Sequence, residues 1–139
     1  MTTTLRTTES STSTSRRLTA VAITAGTLAA TWLVARLILG RTPMGPGFGG
    51  QPPTAVGVAP TIISVLVATV VGWALLAGLE RFRPQNALRA WTIIAGVFTV
   101  LSCISPLMGE GVESADRLTL VALHLTTAAV FVPLMRGTS

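Results

Sequence analysis

The sequence has little charge, one cysteine, one histidine and no lysine. Only 11% of its 139 residues are charged, whereas a soluble globular domain carries about 25%, so the composition is wrong for one. With Cys103 as the sole cysteine, no intramolecular disulfide can form. That thiol lies inside an apolar run and reads as a small buried hydrophobe. His124 is the only histidine, so one protomer cannot supply the two axial imidazoles of a membrane b-type haem. The H-E-x-x-H and G-x-S-x-G patterns are missing, as is any cysteine pair. All ten basic residues are arginine, a compositional bias that carries no mechanism. The net charge of +5 comes without a basic face or aromatic platform, which argues against a nucleic-acid partner.

What remains is apolar: half the residues are hydrophobic and the mean hydropathy is +0.67. Four long runs stand out, at 18–39, 60–79, 88–107 and 118–135. At 1.5 Å per residue the first reaches roughly 33 Å, enough for a hydrocarbon core of about 30 Å. Its length, and Arg36 near its end, favour a retained span over a cleaved signal. Residues 1–17, rich in Ser and Thr, cannot bury enough surface to order themselves and are expected to form a disordered cytoplasmic tail. Residues 40–59 read as a Gly/Pro loop, since Pro43, Pro46, Pro52 and Pro53 cannot continue a helix. Short connections between the spans predict an all-α, integral-membrane, antiparallel four-helix bundle over 18–136, in contact with the lipid bilayer.

Charge sets the expected orientation. With the N-terminus in the cytoplasm, Arg6, Arg16, Arg17, Arg81, Arg83, Arg89 and Arg136 fall inside, whereas Arg41 and Arg117 fall outside with Glu110, Glu113 and Asp116. The positive-inside rule then places both termini in the cytoplasm of an inner-membrane, multi-pass protein. Helices in lipid associate through small residues. Ala22, Gly26, Ala29, Leu33 and Arg36 form one such seam on the first span, and Ala68 and Gly72 another on the second. The fourth span offers Thr119, Ala122, Thr126, Ala129 and Pro133, opposite the face that holds His124, Leu120, Thr127 and Phe131. Whichever of these two faces packs inward, the other seeks protein, so a homo-oligomer or a membrane-protein partner is expected.

Charged or titratable groups inside a membrane are the natural place to look for a site. Arg36 either snorkels to the interface or faces the bundle and pairs with Glu110, Glu113 or Asp116. His124 is either a neutral helix-to-helix contact assisted by Thr127, or a titrating, ligand-touching group. Together Arg36, His124, Thr127, Glu110, Glu113 and Asp116 form a candidate outward-facing polar pocket, with the 40–59 loop able to cover it. Small four-span multidrug transporters use a glutamate within the first span, and none is present there.

The runs GWALLAGLERF (72–82), RAWTIIAGVFTVLSCISPL (89–107) and LTLVALHLTTAAVFVPLM (118–135) resemble a family of small, uncharacterised bacterial membrane proteins. Members have four spans, a Gly/Pro-containing first loop, and a last-span histidine followed by a proline. The resemblance spans about residues 18–136 and implies fold and location, with no activity attached. The expected function is that of a non-enzymatic structural or regulatory subunit acting through helix contacts, with no cofactor, metal or catalytic residue. The alternative is a small transporter or ligand-binding protein built on the polar pocket.

Overall fold

The computed structural model describes residues 3–47 and 49–138, with side chains from residue 13 onward. Its elements are α1 (Thr3–Leu39), β1 (Met44–Gly45), β2 (Thr54–Ala55), α2 (Val58–Phe82), α3 (Ala87–Met108) and α4 (Ser114–Arg136). All four helices are long and apolar enough to cross a membrane, and they enclose the four expected spans. Each helix packs on its neighbours in sequence, and α1 closes the ring against α4. The connectors 83–86 and 109–113 are too short for anything but antiparallel neighbours. Pro60 sits in the first turn of α2, where its missing N–H has no intrahelical partner to lose.

The surface is that of a membrane protein. Leu37, Ile38, Phe98 and Val100 stand exposed on it, while the interior holds Arg17, Thr24, Thr69 and Asp116. In lipid an exposed leucine costs nothing, whereas a polar group needs a partner from the protein. Two apolar clusters fill the bundle. One, at the end that carries the termini, gathers Ala20, Val21, Leu76, Trp91, Phe131 and Met135. The other, at the opposite end, gathers Leu28, Trp32, Val65, Leu120 and Leu123. Between them Thr24 and Thr69 are fully buried, and each donates its hydroxyl hydrogen to a carbonyl four residues back, Ala20 O at 2.8 Å and Val65 O at 2.7 Å. Both side chains are thus satisfied without help from another helix.

The backbone of α1 is helical from Thr3, within the Ser/Thr-rich segment; extending an existing helix is far easier than nucleating one. Residues 1 and 2 and the Arg6 side chain lie outside the described residues. Two local expectations need revision. The Gly/Pro segment is not wholly irregular, because β1 and β2 pair antiparallel with Met44 opposite Ala55. The glycines at this end permit close approaches: a Cβ at Gly47 would overlap the Gln51 carbonyl, and Gly111 (φ +78°) lies where a Cβ would meet the Pro53 ring at 2.6 Å. Finally, the small-residue seam of α1 faces away from the bundle. Ala22, Gly26, Leu33 and Arg36 are exposed and Ala29 half-buried, while the inward row is Ala20, Thr24, Leu28 and Trp32, with Arg17 beside it. Groups that need protein partners decide the face: Trp32 Nε1–H donates to Val56 O at 2.8 Å, and Arg17 meets Glu80.

Candidate functional site

The helix ring leaves a cavity of about 470 Å³ bounded mainly by α2, α3 and α4, with Leu28 of α1 at its back. It exists because facing positions carry small residues at helical spacing. Ser64, Ala68 and Gly72 line it from α2, and Ala95, Thr99 and Ser102 from α3. Below it, toward the termini, Trp91 Nε1–H donates to Gly72 O at 2.7 Å and clamps α3 to α2. The Trp91 ring meets Phe131 edge-on at 5.9 Å. Phe131 in turn fills the space over Gly72, where a Cβ would stand 3.0 Å from its ring. Above this floor Ser64 and Ala68 of α2 and Phe98 of α3 are at once lining residues and exposed. The cavity therefore opens sideways, toward the apolar surroundings of the bundle.

His124, near the middle of α4, lines this cavity with Thr127. Of the two orientations open to α4, the one with His124 inward is adopted, leaving Ala122, Ala129 and Pro133 exposed and Thr119 and Thr126 half-buried. His124 Nδ1 lies 2.7 Å from Leu120 O. A carbonyl can only accept, so Nδ1 carries the proton of the neutral ring and Nε2 is left as an acceptor. Thr127 donates to Leu123 O at 2.8 Å.

The other members of the expected pocket lie elsewhere. Arg36 is exposed, with its guanidinium 5.6 Å from the centre of the Trp32 indole. That position suits a cation–π contact at the rim. Glu110 stands in the loop after α3, where its carbonyl oxygen accepts the Gly47 N–H at 3.3 Å. Glu113 and Asp116 are paired with Arg41, an arginine that the sequence marks only as an outside charge. Arg41 Nη2 donates to Asp116 Oδ2 at 3.0 Å and to Glu113 Oε2 at 2.9 Å, and its Nη1 to Asp116 Oδ1 at 3.2 Å. Asp116 is buried in the first turn of α4, a favourable place for an anion. It also accepts the Met44 N–H at 3.2 Å, which fastens the β1–β2 hairpin to α4. Asp116 chiefly, and then Glu113, raise the Arg41 pKa above its ordinary value by hydrogen bonding. A raised arginine contributes fully below its unfolded value and loses that contribution as pH rises through the folded one, so the arginine's part of this clasp is fully present at neutral pH.

At the termini end Arg17 Nη2 donates to both carboxylate oxygens of Glu80, at 2.7 and 2.8 Å, tying α1 to α2. Arg16 donates to Gly137 O at 2.6 Å, which brings the start of the first span against the end of the last. Sequence reasoning counts Arg17 only as an inside charge and does not anticipate its pairing with Glu80. The cavity hydroxyls on α2 and α3 were also not anticipated. Their signal is the recurrence of Ser, Thr, Ala and Gly three and four residues apart on both helices.

Against known proteins, the model of a family of unknown function, DUF6069, matches residues 8–139. No curated protein and no solved structure matches the chain. The chain belongs to the DUF6069 family.

Proposed function

We propose that this DUF6069 member is a non-enzymatic membrane protein that binds an apolar small molecule inside the bilayer, admitting it sideways between α2 and α3. The observation that carries this reading is the cavity around His124. Its volume falls within the range of about 300–1,000 Å³ usual for small-molecule sites, and it has the usual make-up, apolar walls with a few placed polar groups. Among the described residues no charged side chain lines it, so a hydrocarbon body can enter without meeting an ion that must be desolvated. An enzymatic role finds little support, because no acid or thiol stands among the described lining residues to work with His124.

Ala68 gives the direct test, since it lines the cleft yet is exposed, and a larger side chain there needs no core rearrangement. With Trp73 replaced by phenylalanine, the remaining Trp32 and Trp91 are both buried. In such protein, held in lipid nanodiscs, a chain-brominated alkyl probe should quench tryptophan fluorescence saturably. Ala68→Phe should weaken that binding about tenfold or more at unchanged unfolding temperature. Quenching that never saturates, or that ignores Ala68→Phe, would rule the site out.

A second reading, a subunit acting through helix contacts, is favoured by the outward small residues. A Cβ at Gly26 would meet nothing within 4 Å, and Ala122 and Ala129 are likewise uncovered. On a Cys103→Ser background, Gly26→Cys should then crosslink to one discrete species in the native membrane, whereas a ladder or a monomer would count against it.

A further inference from the structure

The hydrogen-bonding groups around the cavity are almost all of one kind. The hydroxyl hydrogens of Thr61, Thr69, Thr99, Ser102 and Thr127 are each committed to a backbone carbonyl four residues back, at 2.7–2.8 Å. The indole hydrogen of Trp91 is committed to Gly72 O. The Nδ1–H of the neutral His124 ring donates to Leu120 O, and Nε2 finds no hydrogen-bond partner among the described residues. Only Ser64, at the exposed edge of the cleft, keeps a hydroxyl hydrogen uncommitted. The wall thus presents lone pairs: one strong acceptor, the imidazole nitrogen, and several hydroxyl oxygens around it.

We infer that the cavity selects a lipid-soluble molecule whose polar head is a hydrogen-bond donor, an alcohol, phenol or hydroquinone hydroxyl, seated on His124 Nε2. This rests on the reading of the cavity as a ligand site. A ketone, quinone or ether could take only the one hydrogen of Ser64 and would leave His124 Nε2, the strong acceptor, unpaired. An ammonium head would satisfy the acceptors, but among the described residues no carboxylate lines the cavity to balance a cation withdrawn from water. A hydroxyl meets both conditions. It supplies the missing hydrogen and carries no net charge.

The test compares ω-bromododecanol with its methyl ether, two probes that differ in that one hydrogen. Both are titrated into Trp73→Phe protein in nanodiscs, tryptophan quenching is read, and affinities are expressed per mole fraction in the bilayer. The alcohol should bind about three- to tenfold more tightly than the ether, the range one uncharged hydrogen bond supplies. His124→Phe, which keeps a ring in place, should bring the alcohol to the affinity of the ether. Equal binding of the two by the wild-type ring overturns the donor rule while leaving the ligand site standing. A preference that survives His124→Phe overturns the assignment to His124. If neither probe binds saturably, the ligand site itself fails.

Discussion

Replacing Glu80 by leucine is expected to destabilise the bundle by about 3 kcal/mol, near the lower end of what breaking a buried ion pair costs. Arg17 is nearly enclosed, with its side chain 9% exposed, and both Glu80 oxygens receive its Nη2 hydrogens. Its Nε is buried without a hydrogen-bond partner, so the guanidinium already lacks part of its solvation before Glu80 is removed. Two features hold the figure down. Glu80 is 32% exposed, and an arginine at the end of an apolar span can slide its head toward the interface. The double variant Arg17→Met/Glu80→Leu removes both desolvated charges and should return to within about 1 kcal/mol of wild type. Unfolding equilibria in detergent for wild type, both single variants and the double close the cycle. A mild Glu80→Leu effect, under about 0.5 kcal/mol, would reduce the pair to an ordinary surface contact.

Trp91→Ala should cost about 2–3 kcal/mol, less than the 3–5 usual for tryptophan in a soluble core. The difference follows from the solvent. In lipid an unpacked tryptophan loses little transfer free energy, so the loss reduces to packing and one hydrogen bond. A residual void of roughly 100 Å³ at about 24 cal/mol per Å³ accounts for some 2.4 kcal/mol, and the indole bond to Gly72 O adds on the order of 0.6. Trp91 is 1% exposed and touches the Phe131 ring edge-on, so little of that void can collapse. Trp91→Phe keeps most of the volume and should lose mainly the hydrogen bond, under about 1 kcal/mol. Chemical denaturation of both variants separates the two contributions. A Phe variant as damaged as the Ala variant would mean that the clamp between α2 and α3 is the bond, with packing secondary.

The spans were legible because hydropathy runs and proline punctuation are local. All four were found: α2, α3 and α4 extend past the apolar run by about a turn or less, with polar residues such as Glu80, Arg81 and Asp116, whereas α1 runs on through the Ser/Thr segment to Thr3. Facing was less legible. Small residues on α1 were expected to pack, yet a membrane leaves small and large apolar residues equally free to face lipid. The inward face was set by the groups that lipid cannot satisfy: Arg17 and the Trp32 N–H. The site divided on the same principle. His124 and Thr127 share one face of one helix and line the same cavity. Arg36 and Arg41, five residues apart, go to different places because β1 is held against Asp116 and carries Arg41 with it. No periodicity along the chain encodes that choice, because it depends on how a loop returns over the bundle.

The closure of α1 against α4 also bears on how the protein is made. The first and last helices share an interface, yet almost a hundred residues separate Leu39 from Arg136. At about 5–20 residues per second, translation leaves the first helix without that neighbour for roughly 5–20 seconds. During that interval Glu80, the partner of Arg17, is already made. The nascent chain can therefore settle as an α1–α2 pair first, with the ring sealed only when the final helix leaves the ribosome.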